Sequence, residues 1–346
     1  MDRYRDLARK RNGIRRKKDD RVPVYAAIDL GTNNCRLLVA QPDGNAFAVI
    51  DSFSRIVRLG EGLTTSQELG ADAIGRTIEA LKICAQKMRR HDARFVRCVA
   101  TEACRQAGNS ALFFKRVKQT TGLDLEIIAP DEEAGLTLTG CLPLIDPAAQ
   151  HALVFDIGGG STEVMWVGID DRGRPQLRDT MSIRLGVVSL AERFGHDKIA
   201  PADYRTILED ITERLDAFDR RHEISRHIAE RKVQMLGTSG TVTTLAGIHL
   251  DLPRYDRAQV DGLDIDFDSI NAIIERLTRM DFKTRCAHPC IRRERADLMI
   301  MGCAILDAIC KRWPIGLLRV ADRGIREGIL MAMIAAHDGA QPAAAQ

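Results

Sequence analysis

The chain has 346 residues, 45% of them hydrophobic, enough for two packed domains. No apolar run approaches the ~18 residues a membrane span needs, which excludes a helical membrane protein. The formal net charge is only +3, yet residues 1–21 carry ten Lys/Arg against four Asp, a net +6, leaving −3 on the rest. A block this polar cannot bury enough surface to fold alone. It reads as a disordered basic tail, or more sharply as an electrostatic arm for a polyanion. No hydrophobic segment follows it, so it is not a signal peptide. Nine scattered cysteines imply free thiols in a reducing cytoplasm. Cys286, His288 and Cys290 lack a second ligand pair at zinc spacing and read as thiols rather than a metal site.

Order is expected from about Val22. Val24 to Ile28 is an apolar strand ending in Asp29-Leu30-Gly31, and a second strand covers Arg36 to Ala40. Ile74, Ile78, Leu81, Ala85 and Met88 have helical spacing. Phe95 to Ala100 reads as a strand, Ala111 to Thr120 as a helix closed by Gly122, and Leu125 to Ala129 as a strand before the acidic Asp131-Glu132-Glu133. The pattern then restarts. Ala152 to Ile157 is a strand, Gly158-Gly159-Gly160 a turn, and Thr162 to Val167 a strand. A helix follows through Tyr204, Ile207, Ile211, Leu215 and Phe218, and then a strand from Val233 to Leu236. Helices over 268–279 and 296–311, a strand from Leu317 to Val320 and a helix from Ile325 to Ala336 complete the chain. Alternating strands and helices predict an α/β fold. The plan of strand, Asp, Gly turn and strand occurs at both Asp29 and Asp156, an internal repeat that predicts two related lobes facing a cleft.

The octet Asp156-Ile157-Gly158-Gly159-Gly160-Ser161-Thr162-Glu163 carries the sharpest chemistry. Consecutive glycines uncover backbone N–H groups for phosphate oxygens, and Ser161 and Thr162 add hydroxyls. Asp156 and Glu163 bracket the turn, which suits the Mg²⁺ that accompanies a phosphate chain. Gly31-Thr32-Asn33-Asn34 and Gly237-Thr238-Ser239-Gly240-Thr241 are weaker turns of the same kind, and the three together predict one phosphate-lined cleft. No P-loop, dinucleotide fingerprint or serine-hydrolase elbow occurs. Glu132 and Glu133 sit at the junction of the repeats. By position they are either helix-start charges or a group that orients water.

Taken in order, Asp29-Leu30-Gly31-Thr32-Asn33, Arg58-Leu59-Gly60-Glu61-Gly62, Ala100-Thr101-Glu102-Ala103 with Arg105, Glu132-Glu133-Ala134, Asp156 to Glu163, Gly237 to Thr241, and Arg323 to Gly328 resemble the exopolyphosphatase/guanosine pentaphosphatase family. The resemblance covers about residues 24–336. It implies two actin-like, ribonuclease H-like lobes: 22–130 plus about 317–338 as lobe I, and 131–316 as lobe II. It implies Glu132 as the base for the attacking water, Asp156 and Glu163 at the metal, and Ser161 at the phosphate. Arg36, Arg58 and Arg105 would face the anionic substrate. It also implies a homodimer and the short form of the family. Two positions depart from the common pattern: Asn34 stands where many relatives have Ser, and Gly135 where many have Arg.

The expected activity is removal of terminal orthophosphate from polyphosphate, processively and with a divalent cation. Guanosine pentaphosphate, shortened to the tetraphosphate, is the alternative within the same chemistry. An ATP-dependent kinase or chaperone-like ATPase would need an adenosine pocket, to which Gly237–Thr241 could contribute. A non-catalytic sensor is disfavoured by the acids Glu132, Asp156 and Glu163. Aromatics are only 5% of the chain, so no guanine platform is evident and long polyphosphate is the expected substrate.

Overall fold

The computed structural model describes residues 22–340 apart from Asn45 and Arg292, without the side chains of residues 338–340. The basic tail expected over residues 1–21 lies outside the described residues. Two mixed sheets form. In the first, β1 (Tyr25–Leu30), β2 (Asn34–Asp43), β3 (Ala46–Ile56), β4 (Phe95–Ala100) and β5 (Glu126–Ile127) lie in the order β3-β2-β1-β4-β5. In the second, β6 (His151–Ile157), β7 (Thr162–Ile169), β8 (Pro175–Ile183), β9 (Val233–Thr238), β10 (Asp264–Asp266) and β11 (Leu317–Ala321) lie in the order β10-β11-β9-β6-β7-β8.

Each sheet opens with an antiparallel three-strand meander and continues in parallel: β4 beside β1, and β9 beside β6. The repeat seen in the sequence is thus a repeat of topology. Asp29 pairs with Arg36 across the first turn as Asp156 pairs with Glu163 across the second. The central strands are buried on both faces, which is why β1 and β6 read as continuous apolar runs rather than alternating ones. The edge strands β3 and β8 escape that reading. β3 mixes Asp51, Ser52, Ser54 and Arg55 among its apolar residues, and much of it faces solvent.

The lobe boundary differs from the expected one at a single strand. β11 pairs with β9 and β10, so residues 317–321 belong to the second sheet, not to lobe I. The return to the first lobe is made by the helix Ile325–Ala340. Its Ile325, Ile329, Leu330 and Ile334 pack on Tyr25, Ala27, Leu38 and Ala40. The forward crossing is the helix Pro130–Cys141, whose Ala134, Leu138 and Cys141 pack on Ala152, Val154, Met165 and Val167 of the second sheet.

The two crossing helices meet backbone to backbone. A Cβ on Gly328 would stand 1.9 Å from the Leu136 carbonyl oxygen, and one on Gly140 would stand 2.2 Å from that of Gly324. Gly135, one turn away, faces open space. Gly328→Ala is therefore expected to cost about 1–3 kcal/mol by forcing the helices apart. Gly135→Ala should stabilise by about 0.5–1 kcal/mol through helix propensity alone. Urea unfolding of the two variants checks the pair; equal midpoints would mean that the crossing is not tightly packed.

Candidate active site

The β1–β2 and β6–β7 turns face each other across the cleft. Each closes with the same hydrogen bond, Gly31 N–H to the Asn34 carbonyl and Gly158 N–H to the Ser161 carbonyl, both 2.9 Å. The amides of Thr32, Asn33, Gly159 and Gly160 then donate to no acceptor among the described residues, and all four residues line the cleft. Four uncommitted N–H groups on two opposed turns are an arrangement suited to an anion. The helix Val187–Phe194 holds the second turn in place, with Val187 N–H on the Gly158 carbonyl at 3.0 Å and Val188 N–H on that of Gly159 at 2.8 Å.

A third turn completes the wall. Ser239 caps the helix Gly240–His249, its Oγ accepting from the amides of Thr241 and Val242 at 3.1 Å. Its φ of +151° is unusual for a residue with a side chain, a strain held where the chain turns into the cleft. Ser239, Gly240 and Thr241 line the cleft, as do Gly31, Gly158, Ser161, Asp156 and Arg36. Arg36 makes no close ion pair among the described residues, and its charge acts on the nearby Asp29 and Asp156.

Six sequence expectations change. Glu132 is exposed at the surface and ion-paired with Arg97, away from the cleft. Glu133 faces inward, buried at 6% exposure, and lines the cleft. Glu163 lies behind Ser161, accepting from the hydroxyls of Ser161 at 2.6 Å and Ser182 at 3.0 Å. Thr162 points to the opposite face of β7, where its hydroxyl donates to the Leu185 carbonyl. Gly237 sits within β9 against the Phe155 ring, not at the cleft. Arg58 bridges the lobes to Asp297 at 2.7 Å, and Arg105 is held between Glu102 and Glu133 at 2.8 and 2.7 Å. Both arginines are engaged with protein carboxylates, although Arg105 keeps a buried Nη2 without a hydrogen-bond partner among the described residues. The cleft also receives Asp29, Thr101, Glu102 and Arg295. Asp29 could have been chosen from the repeat, since it occupies the position equivalent to Asp156; nothing local marks Arg295.

The acids are crowded. Burial, then the Glu163 charge, pushes Glu133 up to about 8, with Arg105 opposing. Burial raises Asp156 to about 7, with Arg36 opposing and Glu133 and Asp29 adding to the rise. Burial and the Asp156 charge raise Glu163 to about 7. Burial raises Asp29 as well, against the pull of Arg36 and Arg326. Groups that repel one another in this way titrate as a set and favour an added cation. Among the described residues no three His, Cys, Asp or Glu side chains cage an ion by themselves. The donor set instead suits a hydrated Mg²⁺ held by one or two carboxylates and completed by substrate phosphate oxygens.

The sequence profile of the Ppx/GppA phosphatase family matches residues 38–337. The chain belongs to the Ppx/GppA phosphatase family. It is 30% identical over 322 residues to exopolyphosphatase 2 of Mycobacterium tuberculosis, covering 89% of this chain and 98% of that one. Among solved structures it is similar to the Aquifex aeolicus Ppx/GppA family member, with a TM-score of 0.74, 26% identity, and coverage of 92% of this chain and 99% of that one. It is also similar to an exopolyphosphatase-like protein, with a TM-score of 0.82, 25% identity, and coverage of 90% and 97%. The fold is accordingly two actin-like lobes around a cleft, and the protein is a phosphoanhydride hydrolase of the Ppx/GppA family.

Proposed function

We propose that this protein is an exopolyphosphatase in which Glu133 is the general base. The observation that carries the reading is a buried carboxylate beside four uncommitted amides. Glu133 Oε2 accepts from Arg105 at 2.7 Å, while its Oε1 makes no hydrogen bond among the described residues and is left to accept from water. The amides of Thr32, Asn33, Gly159 and Gly160 donate to the terminal phosphoryl oxygens, where negative charge accumulates. The water oxygen forms a bond to the terminal phosphorus and gives its proton to Glu133. The bridging P–O bond breaks, and its electron pair leaves on the shortened chain.

Asp156, with Asp29 opposite, would hold Mg²⁺. When bound, the ion places positive charge on the phosphate oxygens. Raised carboxyl values set a testable sign. In the folded state these acids retain protons that the unfolded chain, with values of about 4, has lost. Their contribution to stability is complete below about pH 4 and is lost as the pH rises through 7 to 8. The metal-free protein should therefore lose thermal stability from about pH 5 to pH 8, and Mg²⁺ should raise Tm more at pH 8 than at pH 6. Scanning calorimetry at both pH values, with and without Mg²⁺, checks this; equal increments would argue against ion binding at these acids.

Polyphosphate is favoured over guanosine pentaphosphate by what adjoins the cradle. The cleft opens into a larger cavity lined by Arg36, Arg254, Arg257, Arg295, Arg323 and Arg326 together with Asp29, Asp156, Asp322 and Glu327; Arg257, Arg323 and Arg326 pair with Glu327 and Asp261, whereas Arg36 and Arg254 make no ion pair among the described residues. Its one aromatic residue, Tyr255, has its hydroxyl tied to Asp322 at 2.7 Å. Orthophosphate release from long polyphosphate, guanosine pentaphosphate and ATP, measured side by side with Mg²⁺, tests the assignment. The expected order of kcat/KM puts polyphosphate first; an advantage for pentaphosphate would reverse it.

A further inference from the structure

Both turns of the cleft are braced from behind through their carbonyls, which leaves their amides free in front. Behind the first turn, the loop after β3 donates three backbone bonds: Gly60 N–H to the Thr32 carbonyl at 2.9 Å, and Val57 and Arg58 N–H to that of Asn33 at 2.9 and 3.1 Å. Behind the second, Val187 and Val188, at the start of the helix Val187–Phe194, do the same for Gly158 and Gly159. The two braces belong to opposite lobes, and they meet at one side chain. Glu192, in the second turn of that helix, accepts from Gly62 N–H through Oε1 and from the Thr64 hydroxyl through Oε2, both at 2.7 Å. A continuous path of bonded groups thus runs from the Thr32–Asn33 turn through residues 57–64, across Glu192, and along one helix to the Gly158–Gly160 turn.

We propose that Glu192 is a positioning residue, the tie between lobes that fixes the spacing of the two amide pairs around the terminal phosphoryl group. The inference rests on the exopolyphosphatase reading, in which those amides receive that group. Their spacing leaves little room for error. A Cβ on Gly159 would stand 3.0 Å from Thr32 Cβ and 3.1 Å from Asn33 N, so the turns lie almost in contact. A shift of one lobe by about 1 Å would change which oxygens the two pairs can reach together. Glu192 itself does not line the front cleft; its exposed carboxylate borders the small space behind Gly160. The other bridge from the same loop, Arg58 to Asp297, ends just ahead of the helix Met299–Arg312 rather than at the second turn, so it cannot replace the tie. Each lobe keeps its own apolar core, so loss of the tie leaves both folded.

The test compares wild type with Glu192→Ala, Glu192→Gln and Glu192→Asp on polyphosphate at saturating Mg²⁺. Glu192→Ala is expected to lower kcat by about ten-fold or more with KM within about two-fold, because the chain is still held in the larger cavity while the contacts made at the reacting phosphorus are lost. Glu192→Gln should return kcat to within about three-fold of wild type, its oxygen accepting from Gly62 and its amide donating to the Thr64 hydroxyl. Glu192→Asp, one methylene shorter, should not. Deuterium exchange followed by mass spectrometry, without substrate, gives a readout independent of activity: Glu192→Ala should speed exchange in peptides covering the two turns and leave the helix Met299–Arg312 at the wild-type rate. Faster exchange throughout both lobes would mean a general loss of stability and would overturn the positioning role. So would a raised KM at unchanged kcat, or a Glu192→Gln as slow as Glu192→Ala, which would make Glu192 act through its charge. Orthophosphate release by wild type separates the two possible failures. None at all overturns the exopolyphosphatase reading and this role with it, whereas equal release by wild type and Glu192→Ala overturns the tie alone.

Discussion

Glu133→Gln is expected to lower kcat by roughly 10²- to 10⁴-fold while leaving polyphosphate Kd within a few-fold of wild type. The amide keeps the size of the side chain and can still accept from Arg105, so the cradle and its support remain. What is lost, on the proposed mechanism, is the atom that takes the proton from water. Glu132→Gln, one residue away, should keep kcat within about two-fold. Its carboxylate is 46% exposed and bonded to Arg97, so its removal costs a surface ion pair worth no more than about 1 kcal/mol. Measuring kcat and Kd for both variants at saturating Mg²⁺ separates the two carboxylates. A dead Glu132→Gln beside an active Glu133→Gln would require Glu132 to reach the cleft in a lobe arrangement different from this one.

Asp156→Asn is the second change expected to act strongly. It should raise the Mg²⁺ concentration for half-saturation by at least about 10-fold and lower turnover even at saturation. Asp156 lines the cleft at the end of β6, and removing its charge also relieves the repulsion that raises Glu163. Glu163→Gln should shift the Mg²⁺ requirement much less, because that side chain is engaged with Ser161 and Ser182 behind the turn. Chelation of wild type should abolish phosphate release and readdition of Mg²⁺ restore it. Mg²⁺ titrations of the initial rate for the three proteins decide the ligand. An unshifted Asp156→Asn with a strongly shifted Glu163→Gln would exchange their roles.

Much of this was legible without coordinates. The two Asp-Gly turns announce a duplicated lobe because the short-range rule is strong: an apolar strand, an acid at its end, then residues small enough for a tight turn. Those turns also pointed to the proposed anion cradle, since the uncommitted amides of Thr32, Asn33, Gly159 and Gly160 are a local property of the two turns. The ordered motifs from Asp29 to Gly328 determined the family. Tertiary packing decided which neighbour of each pair faces the cleft. Glu132 and Glu133 lie about 100° apart on one helical turn. Their orientation is set by Ala134, Leu138 and Cys141, which press the helix Pro130–Cys141 onto the second sheet and so turn Glu133 inward. The arginines were beyond sequence reasoning for the same reason. Arg58 is claimed by Asp297, 239 residues away, and Arg105 by Glu133, 28 residues away. A charge declares its presence in the sequence, but its partner is chosen by whatever the fold brings within a few ångströms.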